Sequence, residues 1–311
     1  MTFKEDIIKH LIDKGLCDSS INLYIKNLER LNDGYELKDF KFLYDINHIK
    51  GLLEKYKITT KRGYLISIVS VIESAKGTNK ILNNLYKKYY DEMININNKI
   101  KDLPTEKLSK AQADNWISWE DVIKKYDDIY SEVKLFEKKK EINKMEYEKL
   151  LELMVLSLYR WIPPRRNEYT NMIIVKKLVE TLSTDNNYLS IEDNKFLFNQ
   201  YKTVKKYGSE TIDIPKELMN IILLYIKFHP LIKGKKKYNI EFLVYQNGKS
   251  LNKINSITRI LNKLFDKKIS SSMLRHIWNT YEYGETIKKM KINAEKMGHG
   301  LTQAIDYIKD I

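Results

Sequence analysis

KMEYEKLLELMVLSLYRWIPPRRNEYTNMIIVKK, residues 144–177, joins two periodicities that cannot share one element. Up to residue 162, Tyr147, Leu150, Leu151, Met154, Leu158 and Trp161 recur at the spacing of one helical face. That spacing predicts a long helix over 144–162 with those side chains inward. Pro163-Pro164 stops it, because proline has no N–H to donate and disfavours helical geometry in the residue before it. Arg165 therefore follows a buried helix at a sharp corner, a rigid place from which a guanidinium can hold a phosphate. Beyond the corner, NMIIVKK (171–177) reads as a short strand, as do NKFLFNQYK (194–202) and ETIDIP (210–215), with VKKYGS (204–209) turning before the last. Helical patterning resumes at Pro215–Lys227 and continues with breaks to the end. The expected fold is mainly α with a small antiparallel sheet of three strands.

Upstream, residues 1–103 are expected to form a helical bundle. SSINLYIKNLERL (19–31) aligns Ile21, Tyr24, Ile25, Leu28 and Leu31 on one face, after the cap candidates Asp18, Ser19 and Ser20. GYLISIVSVIESAKG (63–77) and ILNNLYKKYYDEMININNKI (81–100) carry further apolar patterns, for four or five helices in all. DLPTEKLSKAQADN (102–115) has a proline, small polar residues and no apolar period, which puts a linker at 104–114 and starts the second domain at 115. Ser118 and Asp121 then have the spacing of a capping box that opens a helix.

With 43% hydrophobic and 31% charged residues, the 311-residue chain is not disordered as a whole. No apolar run reaches the ~18 residues of a membrane span, and the charged N-terminus lacks a secretory signal core. The single cysteine, Cys17, excludes an internal disulfide and a multi-cysteine zinc site, which points to a reducing, intracellular compartment, cytoplasm or nucleus. The histidines at 10, 48, 229, 276 and 299 have no ligand spacing, no carboxylate pair forms a metal pattern, and no Walker motif occurs. No cofactor and no metal are expected. The formal net charge is +14, of which residues 1–104 carry +4 and the rest +10. Such a field attracts nucleic-acid phosphates, although a uniformly solvated lysine surface would carry the same sum. Lysines 233, 235, 236 and 237, and 288, 289 and 291, are candidates for backbone contacts.

Only seven of the 55 basic residues are arginine, and three of these, Arg160, Arg165 and Arg166, fall within seven positions. Five features then follow in order: PPRRNEY (163–169), QYKTVKKYGSET (200–211), SSMLRHIW (271–278), KMGHG (296–300) and AIDYI (304–308). In this order and at these distances they resemble the tyrosine recombinase (site-specific integrase) family. NWISWED (115–121) and PPRRNEY are nearest in character to the integrases of virophages, large DNA viruses and mobile elements. The resemblance covers 113–311 and, more loosely, the N-terminal region as that family's core-site-binding domain.

The resemblance implies a catalytic set. Arg165 with Glu168 matches the family's first arginine box, and Arg275 with His276 matches the second. Lys202-Thr203 matches the lysine on the sheet's turn, Gly298-His299 the Gly-His pair, and Tyr307 the nucleophile, since no other tyrosine follows His299. Two alternatives stay open: Arg166 in place of Arg165, and Lys205 or Lys206 in place of Lys202, with these three otherwise contacting DNA. His276 suits a structural role better than a catalytic one. The chain departs from the pattern at Ser272, where relatives have His or Lys, and it ends four residues after Tyr307, where many continue into a helix that docks in a neighbouring protomer. Either assembly differs or the chain is truncated. The implied activity is cleavage and rejoining of double-stranded DNA through a 3′-phosphotyrosyl link by a homo-oligomer, a tetramer on paired sites, with no ATP, metal or membrane. A type IB topoisomerase and a non-catalytic DNA-binding relative are the competing readings.

Overall fold

The computed structural model describes residues 2–77, 80–102, 108–232, 237–253 and 255–309. The chain divides into two compact units, Met1–Lys107 and Leu108–Ile311. The first is helical: α1 (Phe3–Asp13), α2 (Asp18–Leu31), α3 (Ile46–Leu53), α4 (Ile58–Ile72) and α5 (Lys80–Lys101). Ile21, Ile25, Leu28 and Leu31 of α2 are buried as the pattern requires, while Tyr24 is half-buried. The cap differs from expectation: α2 already begins at Asp18, behind Cys17, which makes no side-chain capping bond. A buried polar chain links α2 to α4, with Asn27 Nδ2 donating to Ser67 Oγ at 3.0 Å and Ser67 Oγ to the Gly63 carbonyl at 2.9 Å.

Part of the expected linker, residues 104–107, lies outside the described residues, and the rest is not all loop. Ser109 and Gln112 form a capping box that opens α6 (Lys110–Asn115), so local hydrogen bonding builds a short helix without an apolar face. The Ser118–Asp121 box opens α7 (Trp119–Val133), each bond being 3.0 Å.

α8 (Lys144–Arg160) is the axis of the second unit. Its apolar spacing predicts one inward face. It is in fact buried nearly all round, with Leu153, Val155 and Leu156 as enclosed as Leu150 and Met154, because α7, α10 (Lys216–Lys227) and α11 (Ser256–Phe265) pack on different sides. Trp161, expected inward, is half-buried just past the helix end.

The sheet is larger and less regular than expected. Its strands are β1 (Met172–Val175), β2 (Asn187–Ser190), β3 (Lys195–Phe198), β4 (Glu210–Asp213) and β5 (Ile240–Glu241), in the order β4-β3-β2-β1-β5. β2 runs parallel to β1 and antiparallel to β3, so the sheet is mixed. β2 carries no strand signal in the sequence, because NYLS is short and begins with asparagine, a residue depleted in strands. VKKYGS is not a simple turn: Val204–Tyr207 close one helical turn, α9, before Gly208 at φ 73° releases the chain into β4. After α11, α12 runs unbroken from Ser271 to Lys296, and α13 (Leu301–Asp306) packs on it. Among the described residues no helix is long and apolar enough to cross a membrane.

Candidate active site

Three successive residues of the corner after α8, 166–168, are each fastened by a different element. The buried Tyr159 phenol donates to the Arg166 carbonyl at 2.9 Å. Ser271 Oγ, in the first turn of α12, donates to Asn167 Oδ1 at 3.0 Å, across 104 positions of sequence. Asn187 Nδ2, on β2, donates to the Glu168 carbonyl at 2.9 Å. Asn187 also donates to the Gln200 carbonyl at 3.0 Å, and its Oδ1 accepts from the Asn199 and Gln200 amides at 2.9 and 2.7 Å. All the hydrogen-bonding capacity of this buried amide is spent inside the protein, tying the arginine corner to the end of β3.

The corner, the start of α12 and the mouth of the β3–β4 hairpin surround a cavity of about 570 Å³ lined by Arg165, Arg166, Glu168 and Arg275. Three guanidinium groups against one carboxylate leave this region positive before Glu210, also on its wall, is counted. The crowding registers on Arg275: desolvation first, then Arg166 and Arg165, push its pKa down, while Glu168 opposes them. An anion placed among these groups relieves that strain. The first turn of α12 adds the positive end of a helix dipole beside Arg275.

Arg165 is the most enclosed of the cluster's ion-paired groups. Its side chain is 14% exposed and its Nη1 donates to Glu210 Oε2 at 2.8 Å. The guanidinium lies 3.9 Å from the centre of the Phe198 ring and 5.2 Å from that of Tyr201. Beneath, Tyr169 meets Phe196 and Phe198 edge-on, each at 5.6 Å, in a fully buried aromatic floor. Among the described residues, Arg165 Nε and Glu168 Oε2 are buried without a hydrogen-bond partner. Such orphaned groups are uncommon, and two in one site mark a place built for something other than packing.

The other expected residues are distributed unequally. Lys202 lines an adjoining cavity of about 330 Å³, which shares Arg166, Glu168 and Tyr201 with the first. Lys205 and Lys206 are exposed on α9. Ser272 and His276 are exposed on the first turns of α12, and neither lines these cavities. Of the lysines proposed for DNA contact, 233, 235 and 236 lie outside the described residues, Lys237, Lys288 and Lys289 are exposed, and Lys291 is half-buried.

His299 and Tyr307 are elsewhere. From Arg275 to Lys296, α12 rises about 30 Å. It ends in a Schellman motif: Gly298 sits at φ 77°, and the Gly298 and His299 amides each donate at 3.1 Å, to the Glu295 and Ala294 carbonyls respectively. The Gly-His pair thus has a structural cause, since the left-handed residue ending a helix favours glycine. The His299 ring lies edge-on to Tyr307 with centroids 5.4 Å apart, and the Tyr307 hydroxyl accepts from Gln303 Nε2 at 3.1 Å. Tyr307 is 62% exposed. α13 spans only about 9 Å, so even if it folded straight back along α12 it would leave Tyr307 roughly 20 Å from Arg275. The tyrosines on the arginine cavity are Tyr201, whose hydroxyl donates to the Gly208 carbonyl at 2.7 Å, and Tyr207.

Among the described residues no group of three or more His, Cys, Asp or Glu side chains could hold a metal. No family model and no curated protein matches the sequence. Among solved structures, that of the XerA recombinase is similar at 11% identity, covering 99% of this chain and 94% of that one, with a TM-score of 0.35. So loose a likeness transfers no residue's role.

Proposed function

We propose that the second unit breaks and rejoins double-stranded DNA, with the scissile phosphate held between Arg165 and Arg275 and Tyr307 as the nucleophile. The observation that supports this reading is the shared cavity, where guanidiniums 110 positions apart in sequence lie with Arg166 and Glu168. In-line attack at phosphorus builds charge on the non-bridging oxygens, and preorganised guanidiniums stabilise that charge as it forms. The Tyr307 phenol gives up its proton to water and bonds to phosphorus; the bond to the 5′ oxygen breaks, and Lys202 in the adjoining cavity supplies the proton that makes it a hydroxyl. The phosphotyrosine conserves the bond energy for rejoining. Recombination at specific sites, and integration of a viral or mobile genome, are the finer form of the proposal.

With α12 continuous, Tyr307 reaches an arginine cavity in one of two ways: it serves a second copy of the chain, or α12 bends. The first accords with a homo-oligomer on paired sites, and it gives the exposed Tyr281, Tyr283, Ile287 and Ile292 of α12 a surface to meet.

The test is covalent capture. The protein is incubated with nicked duplexes from the ends of the genome that encodes it, and adducts are resolved under denaturing conditions and mapped to a peptide. An adduct is expected with the natural chain and with Tyr207→Phe, and none with Tyr307→Phe. Persistence in Tyr307→Phe refutes the nucleophile. Salt-sensitive duplex binding without any adduct identifies a non-catalytic DNA-binding relative, and plasmid relaxation without strand exchange a type IB topoisomerase.

A further inference from the structure

We propose that the Glu210 carboxylate is an internal stand-in for the DNA phosphate, occupying Arg165 until a phosphodiester displaces it; the inference rests on the reading that this cavity receives a phosphate. Arg165 cannot lose its charge, and at 14% exposure it cannot rely on water to screen it. Its ion-pair partner among the described residues is Glu210, through Nη1 and Oε2 at 2.8 Å.

The two partners are held very differently. Arg165 is gripped over the Phe198 ring at 3.9 Å and sits on the buried aromatic floor, so it stays in place whichever anion it meets. Glu210 is the first residue of β4, an edge strand, and its side chain is 47% exposed. Pairing across the ladder with Phe198 places its carboxylate on the guanidinium. It can therefore turn into water without opening a hole in the core, whereas Arg165 cannot.

A carboxylate and a phosphodiester make the same offer to a guanidinium: two oxygens sharing one negative charge. They differ in reach. Glu210 engages Arg165 from the wall of the cavity, whereas a phosphate within the cavity also has Arg166 and Arg275 around it. Displacement is favourable for an anion that spans the cluster and gains little for one that meets Arg165 alone. Glu210 thus keeps the enclosed charge paired in the absence of DNA and raises the threshold against stray anions. It is a positioning and selectivity residue and takes no part in bond making.

The experiment uses inorganic sulfate, which does not titrate near neutral pH, and follows the arginine Nε resonances of the full chain. Glu210→Gln keeps the size and removes the charge; it is expected to bind sulfate about fivefold more tightly than the natural protein, the scale of a half-exposed ion pair. Glu210→Asp keeps the charge and is expected to stay within about twofold of the natural value. A gain in affinity is not what a merely structural defect produces. Unchanged or weaker binding in Glu210→Gln, or no binding in any of the three proteins, overturns the proposal. Covalent capture is scored separately: loss of the Tyr307 adduct with the sulfate result intact refutes the cleavage reading and leaves the stand-in standing.

Discussion

The arginine cavity and the C-terminal arm belong to one unit and are organised in opposite ways. At the cavity, Tyr159, Ser271 and Asn187 tie three successive residues of one loop to a helix, a second helix and a strand. In the arm, most side chains beyond Trp278 are exposed, and Tyr307 meets Gln303 of α13 and His299 just before that helix. The phosphate-holding residues of the proposed chemistry already share one cavity, and Tyr307 stands apart from them. If the proposed reaction is divided in this way, delivery of the nucleophile controls it, because apart from the release of Glu210 from Arg165 the cavity's groups already stand together.

The strongest way to break the comparison is to separate the halves genetically. Arg275→Ala leaves Tyr307 intact, and Tyr307→Phe leaves the cavity intact; each alone is expected to lose the adduct by at least about a hundredfold. If a second copy supplies the tyrosine, mixing the two restores adduct, and only on the Arg275→Ala chain. An adduct-free mixture beside an active natural protein means that α12 bends and each chain serves itself.

A second test bears on how the cavity is held. Replacing Asn187 by alanine strands two carbonyls and two amides at once, most of them part-buried, with an expected loss of about 2–4 kcal/mol in unfolding free energy, read by denaturant titration. A loss below about 1 kcal/mol would show that the arginine corner does not depend on β2.

Asn187 also marks the limit of what could be read in advance. Strong local signals were legible: α8 and its proline stop, the Ser118–Asp121 box, the strands β1, β3 and β4, and the clustering of Arg165, Arg166 and Glu168 behind a rigid corner. β2 was not, because four residues led by asparagine carry no strand signature, and what Asn187 does depends on partners 12 to 19 positions away. Glu210 was invisible as a partner of Arg165, since the contact depends on which face of β4 meets Phe198. The separation of Tyr307 from Arg275 was hidden for a different reason. Motif order says nothing about geometry, and whether α12 continues past Trp278 is decided by helix propensity over a largely exposed stretch.

That exposed stretch permits the finest test. Gly284 lies inside α12 in helical geometry, and a Cβ there would meet Thr280 Cγ2 at 3.6 Å, an ordinary contact. Gly284→Ala should therefore stabilise the arm by about 1 kcal/mol, seen as slower amide exchange around 280–290. Gly298 is the converse. A Cβ there meets nothing within 4 Å, but φ 77° is costly for any residue with a side chain, so Gly298→Ala should loosen the helix end by about 1 kcal/mol, with faster exchange at 294–300. If α12 acts as a rigid arm toward a second copy, adduct formation is unchanged or raised in Gly284→Ala and falls severalfold in Gly298→Ala. If α12 must bend near its middle to bring Tyr307 home, Gly284→Ala is the variant that slows, because it stiffens the point where bending is easiest.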